Sequence, residues 1–336
     1  MQSTTFSNKQ LTGQRLMVGF EGTGFNEDLK FLIDRLNVGG VILFSINIES
    51  PDQLKELCRS IQDCARSCGQ PPLFIAVDQE GGQVARLKAP FTIFPGNPHM
   101  KSDKDAVNFA EITAAELKQV GINMNMAPVM DVSPDDSDSI MAKRTFGDNP
   151  SRVARLGVKV IEHLQLNDIM AVAKHFPGIG RTTLDSHLDM PVLHDELSVL
   201  EQFDLIPFKA GIQSSVCGVM LSHIFYAKLD PQWPASLSPP IANILLRKQM
   251  GFDGLVLTDD LDMGAITKHY DIQSAIHQIL AAEIDLTLIC HKGPNIENAY
   301  EEILKELMDD PETKKRGIES VDRIMKAKRK FIGATG

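Results

Sequence analysis

Short runs of apolar, often β-branched residues recur along the chain, separated by longer stretches in which apolar residues return every three or four positions. The runs lie at 15–20 (RLMVGF), 39–44 (GGVILF), 73–78 (LFIAVD), 122–131 (INMNMAPVMD), 169–174 (IMAVAK), 217–222 (CGVMLS), 254–259 (GLVLTD) and 285–290 (DLTLIC). Several are apolar at nearly every position, as suits parallel strands covered on both faces. The stretches between them read as helices beginning at 50 and near 103–120, 151–166, 195–214, 239–250, 271–282 and 295–309, with a last one near 312–332. At Ser50-Pro51-Asp52-Gln53, Ser50 can cap, Pro51 suits the first turn and Gln53 can complete a capping box. Only a short helix fits between residues 25 and 37. Eight strands alternating with helices predict an α/β fold, a single (β/α)8 TIM-type barrel over 1–336 with its core at about 10–330. A doubly wound sheet is the runner-up, but its G-x-G-x-x-G fingerprint is absent, because Gly19, Gly22 and Gly24 have the wrong spacing. No linker-like tract or fixed-period repeat divides the chain.

The charge balance narrows the partners. The 336 residues carry 34 basic and 44 acidic side chains, a net charge of −10. Nucleic-acid backbones and anionic membranes need clustered Lys and Arg, so neither is expected as the main partner. Five cysteines, Cys58, Cys64, Cys68, Cys217 and Cys290, form no closed framework and suggest free thiols in a reducing compartment. The N-terminus MQSTTFSNKQ lacks the basic and apolar regions of a signal peptide, and no apolar run approaches a membrane span. A cytoplasmic protein is expected.

In such barrels chemistry sits at the C-terminal strand ends. Polar residues collect there: Asp78, Asp131, Lys174 and His175, Ser222 and His223, and Asp259 and Asp260. An ionisable group at the end of a buried strand is costly unless it is paired or used. The densest segment is KHFPGIGRTTLDSHLDMP at 174–191, where Pro177, Gly178 and Gly180 force an irregular loop carrying Asp185 and His187. A carboxylate two residues before an imidazole can accept a ring N–H and orient the ring. In GLVLTDDLDMGAI at 254–266, one of the adjacent Asp259 and Asp260 is expected to face the pocket and the other a helix N-terminus or solvent. In DQEGGQVAR at 78–86, Gly81-Gly82 can turn Asp78 and Arg86 toward the mouth to grip sugar hydroxyls, although a surface salt bridge is the plainer reading. Arg144 in AKRTFGDNP is ambiguous by itself. A metal site would recruit Asp259, His175 and His187, but the H-x-H strand of many barrel metallohydrolases is missing. A Schiff-base aldolase on Lys174 is a rival chemistry, and a sugar-binding barrel without catalysis a second.

Together these motifs resemble the glycoside hydrolase family 3 β-N-acetylglucosaminidases (β-hexosaminidases), in particular the single-domain bacterial NagZ type, over roughly residues 10–330. The family's K-H-F-P-G-x-G followed by D-S-H is similar to Lys174–Gly180 and Asp185-Ser186-His187. Its S/T-D-x-x-x-M resembles Thr258-Asp259 and Met263, its D-x-E-G-G-x-V-x-R resembles Asp78, Glu80, Gly81, Gly82, Val84 and Arg86, and its R-S/T-F resembles Arg144-Thr145-Phe146.

The resemblance implies a retaining exo-glycosidase that removes GlcNAc from peptidoglycan-derived muropeptides by double displacement. In that reading Asp259 is the nucleophile, His187 the general acid/base and Asp185 its orienting partner. Asp78, Arg144, Lys174 and His175 hold the sugar, and Arg86 supports Asp78. No metal or organic cofactor is expected, and the partner is a small carbohydrate. The alternatives inside the family are a β-glucosidase and a phosphate-accepting β-N-acetylglucosaminide phosphorylase. Three positions depart from the pattern: Ile179 where the family often has His, Gln83 in place of a common Arg, and His291 where Asn is usual.

Overall fold

The computed structural model describes residues 5–134, 138–186 and 188–333. Eight parallel strands close into a barrel in chain order: β1 (Leu16–Val18), β2 (Gly40–Leu43), β3 (Phe74–Val77), β4 (Met124–Asn125), β5 (Met170–Phe176), β6 (Gly218–Leu221), β7 (Leu255–Asp260) and β8 (Leu286–Ile289), with β8 pairing back to β1. The (β/α)8 architecture expected from the alternation of elements is present.

The runs look uniformly apolar because both strand faces are buried, but the two faces belong to different cores. Met17, Ile42, Phe74, Met124, Met170, Val172, Leu255, Leu257, Leu286 and Leu288 fill the lumen. Residues of the opposite phase, such as Leu16, Val41, Ile75, Ala171, Val219 and Val256, pack outward against the helices. Ile324, Ala327 and Phe331 of the last helix (Pro311–Phe331) join the lumen cluster. Lys328 of that helix is buried with them, its Nζ 5.3 Å from the Phe74 ring centroid and 2.6 Å from Gln14 Oε1.

The helices follow the expected caps. Ser50 and Gln53 make a reciprocal capping box on Pro51–Ser67. A short helix, Asn8–Gly13, was not expected, although Ser7 and Gln10 carry the same signature. The helix expected over 195–214 is two, Leu197–Gln202 and Leu205–Gln213. Pro207 sits in the first turn of the second, where its missing N–H costs nothing. The segment Pro240–Gln249 winds as a π-helix.

Three strands differ from the ladder their sequences suggest, and the differences shape the site. The long run 122–131 is a strand only at Met124–Asn125. Pro128 has no N–H to donate, and Asn125 uses its side chain instead, accepting from Gln79 N at 3.0 Å and donating to Gln79 O at 3.0 Å. On β5 and β7 the register slips by one residue. Ala173 pairs with Val219 and Phe176 with Leu221, while Leu257 pairs with Leu286 and Asp260 with Leu288. Each slip inserts one extra residue at a C-terminal strand end, the arrangement of a β-bulge.

Candidate active site

Lys174 and Asp259 continue the lumen-facing columns Met170–Val172 and Leu255–Leu257, so period two alone aims them into the barrel mouth. Their neighbours also line the mouth cavity, His175 inside the β5 bulge and Asp260 just past the β7 bulge, where it pairs with Leu288. The expectation that only one of Asp259 and Asp260 faces the pocket is therefore corrected. Simple alternation would turn Asp260 outward, and the extra residue turns it back.

The floor is a chain of charge-assisted bonds. Lys174 Nζ is 2.7 Å from Asp78 Oδ1 and 2.7 Å from Glu80 Oε1. Glu80 also accepts both arms of Arg144, at 3.0 Å from Nε and 2.7 Å from the terminal nitrogen. Arg86 reaches the other oxygen of Asp78 at 3.5 Å. Burial pushes the Glu80 carboxyl up, but Lys174 and Arg144 outweigh it and hold it down at about 2. Burial alone would lower the Lys174 ammonium, yet Asp78 and Glu80 raise it above its usual value. A lysine kept protonated is a poor Schiff-base nucleophile, which removes the support for an aldolase.

His175 is set from behind. Its Nδ1–H donates to Asp131 Oδ2 at 2.8 Å, and its Nε2 stands 3.5 Å from Arg144, which has only donors to offer. Asp131 is fully buried and also accepts the backbone N–H of Ile179 at 2.9 Å, so one carboxylate fixes both the imidazole and the start of the following loop.

On β7, Asp259 Oδ1 accepts the N–H of Asp260 at 2.8 Å. Burial raises the Asp259 carboxyl, but His223, His175, that N–H and Lys174 overcome it and leave the group below its ordinary value. Asp260 Oδ1 accepts from Cys290 N at 2.9 Å and Asp262 N at 3.0 Å. Burial, with Asp262 and Asp259 adding repulsion, pushes the Asp260 carboxyl up to about 6. The two adjacent acids are thus driven apart in proton affinity. Behind them, His223 bridges Ser236 Oγ at 2.6 Å and the Asp260 carbonyl at 2.8 Å.

The loop after β5 is anchored on both sides of the D-S-H motif. Gly180 lies so close to the Val132 carbonyl that a Cβ would stand 2.0 Å from its oxygen, and at Gly178 a Cβ would meet Asp204 at 2.7 Å with φ at +125°. Arg181 bonds the buried Asp204 at 2.7 Å and Asp195 at 2.8 Å. Beyond the motif, the Ser186 carbonyl accepts from Ala265 N at 3.0 Å, and Asp189 pairs with His269 at 2.7 Å. Asp185 and Ser186 line the cavity. His187 lies outside the described residues.

The cavity these elements enclose measures about 370 Å³. It gathers Asp78, Arg86, Arg144, Lys174, His175, Asp185 and Asp259, every expected site residue that is described. Glu80 and Asp131 complete the arrangement from below. Both appear in motifs or at strand ends, but only the fold shows that they clamp Lys174, Arg144 and His175.

The glycosyl hydrolase family 3 N terminal domain matches residues 9–327. The chain belongs to glycosyl hydrolase family 3. It is 32% identical over 367 residues to a beta-hexosaminidase A of Pseudoalteromonas piscicida, covering 97% of this chain and 61% of that one. It superposes on a family 3 beta-N-acetylglucosaminidase from Paenibacillus sp. str. FPU-7 with a TM-score of 0.94 at 33% identity, covering 99% of this chain and 64% of that one. It is also similar to NagZ from Neisseria gonorrhoeae, solved in complex with N-trifluoroacetyl-D-glucosamine. There the TM-score is 0.75 at 26% identity, with 90% and 95% of the two chains covered. The chain therefore spans less than two thirds of the Pseudoalteromonas and Paenibacillus relatives. Within this family 3 barrel, Gln83 is exposed on the hairpin tip, Ile179 is buried above Asp131, and His291 stacks on Phe44 with ring centroids 6.3 Å apart. No helix among the described residues is long and apolar enough to cross a membrane.

Proposed function

We propose that the chain is a retaining exo-β-N-acetylglucosaminidase that removes GlcNAc from muropeptides (GlcNAc-1,6-anhydro-MurNAc peptides) in the cytoplasm, as one barrel domain. The observation that carries the reading is the single cavity in which an acidic Asp259 at a rigid strand end faces the Lys174–Asp78–Glu80–Arg144 cluster, with Asp185 on the loop above. The hexosaminidase names of the relatives and the glucosamine analogue bound by the Neisseria protein support a GlcNAc-type sugar. The muropeptide aglycone and the cytoplasmic setting rest on the likeness to NagZ.

In the proposed reaction Asp259 attacks the anomeric carbon and forms a glycosyl ester, while the leaving oxygen takes a proton from His187. Water, deprotonated by the same imidazole, then releases the sugar with retention. An Asp259 carboxyl held below its ordinary value is ionised at neutral pH, as a nucleophile must be. Asp185 orients the imidazole, and the loop that carries both brings the donor over the sugar. Asp78 accepts from sugar hydroxyls, Arg144, Lys174 and His175 hold the remainder, and Arg86 steadies Asp78. The test is hydrolysis of paired chromogenic β-GlcNAc and β-glucose substrates, with products compared in the presence and absence of phosphate. Clear preference for the GlcNAc glycoside with free GlcNAc released supports the reading. Equal use of the glucoside, or a sugar phosphate as product, would move the chain to another branch of the family.

A further inference from the structure

Past Asp259, the loop end of β7 and the end of β8 bring three potential ligands together at the cavity rim. Asp260, Asp262 and His291 each present one atom, and the three atoms lie within 4.8 Å of one another. We propose that these residues form a binding site for a divalent transition metal, zinc by chemistry, which shuts one wall of the cavity when filled.

The distances favour a shared ion over a salt bridge. His291 Nδ1 stands 3.4 Å from Asp260 Oδ2 and 3.7 Å from Asp262 Oδ2. Charge-assisted N–H···O bonds draw in to about 2.7–2.9 Å, so neither contact is a closed pair. Zinc binds nitrogen and carboxylate oxygen at about 2.0–2.2 Å in tetrahedra, whose edges are then roughly 3.3–3.6 Å. The 3.4 and 3.7 Å separations are close to such edges, with the ion between the atoms.

The donor atoms are also oriented for it. Asp260 spends Oδ1 on the N–H groups of Cys290 and Asp262 and keeps Oδ2 toward His291. Asp262 is held by Asn295 at 2.8 Å through Oδ1 and by the His291 N–H at 3.0 Å through Oδ2, which has a second lone pair free. The imidazole is steadied on the Phe44 ring. Among the described residues, the ion pairs of Asp260 and Asp262 are with His291 alone, so the negative charge of this strand end has no lysine or arginine against it. One nitrogen with two carboxylates suits zinc better than calcium or magnesium, which take all-oxygen shells.

Titration of the full chain with zinc chloride in metal-free buffer tests the site, read by calorimetry and by zinc-dependent thermal shift. The expected result is one zinc bound per chain at this site, weakened at least about 10-fold in His291→Asn and retained in His187→Ala. Metal-free melting of His291→Asn at the wild-type temperature shows that its fold is intact. Absence of zinc binding to the wild-type chain, an unchanged affinity in His291→Asn, or loss of the zinc in His187→Ala would overturn the proposal. The consequence for turnover rests on the proposed function and is read separately. Zinc is expected to inhibit β-GlcNAc hydrolysis by the wild type and to inhibit His291→Asn less. His291-dependent binding without inhibition would keep the metal site and overturn its closing of the cavity.

Discussion

Asp131 Oδ2 lies 2.8 Å from His175 Nδ1, and both residues are buried. The pair couples a buried residue in the segment after β4 to one on β5 that lines the cavity, across 44 positions of sequence. On the proposed mechanism it fixes the imidazole tautomer so that Nε2 faces the sugar as an acceptor.

Replacing Asp131 with Asn removes the charge while keeping the shape. Hydrogen bonds to charged groups contribute about 1.5–3 kcal/mol, so kcat/KM is expected to fall roughly 10–150-fold. Because the same carboxylate holds the Ile179 N–H, the loss should appear in kcat as well as KM. Steady-state kinetics on a chromogenic β-GlcNAc substrate checks this, and a variant with wild-type constants would show that His175 needs no partner.

The dyad proposed on the loop is tested by leaving-group dependence. His187→Ala is expected to slow glycosylation by about 10²–10⁴-fold, the range of general acid–base groups. Aglycones that leave readily need little protonation and should lose least. Asp185→Asn should impair the same step by releasing the ring from its orientation. A uniform loss across leaving groups in His187→Ala would assign the residue to binding instead.

How much of this was open to inspection in the sequence depends on whether periodicity or pairing decides the position. Lys174 and Asp259 are visible because they extend a period-two column beyond an apolar strand. His175 and Asp260 share the cavity only through the two register slips, and an extra residue in a strand leaves no mark in an apolar pattern. Glu80 and Asp131 read as motif or strand-end acids, but partners 64 and 44 residues away are set by barrel closure and not by spacing. The eight strands were legible because each run is apolar on both faces. The break at Phe203 and the π-winding of Pro240–Gln249 were not, since the apolar pattern runs on through both.

Labelling with a 5-fluoro GlcNAc donor and peptide mapping should place a covalent adduct on Asp259 and not on Asp260. Asp259 is held below its ordinary value and Asp260 is lifted to about 6, so at pH 5 the first is ionised and the second mostly protonated. Labelling is therefore expected to persist at pH 5. An adduct on Asp260, or labelling that vanishes as pH falls through 6, would exchange the two roles. Strong inhibition by a thiazoline with no adduct at all would favour attack by the acetamido oxygen.

The last prediction concerns the opposite end of the barrel. Lys328 is buried against Phe74 with the neutral Gln14 Oε1 as its hydrogen-bond acceptor, and burial pulls its pKa down to about 7. In the unfolded chain a lysine titrates at about 10.4. Above that value the amine is neutral in both states. As pH falls from there to about 7, the unfolded chain takes up a proton that the folded barrel refuses, so stability declines. Below about 7 both states are charged and the loss is complete. Each pKa unit corresponds to about 1.4 kcal/mol, so the decline attributable to this group is on the order of 5 kcal/mol. Lys328→Met keeps the apolar stem and removes the titration. Its absolute stability mixes this gain with the cost of leaving Gln14 Oε1 unpaired, about 1–3 kcal/mol, so the slope is the decisive quantity. Urea unfolding at intervals from pH 7 to pH 10 should show the difference between variant and wild type shrinking, or reversing, as pH rises. Parallel curves would mean that the ammonium keeps its proton inside the barrel floor, held by Gln14 and the Phe74 ring.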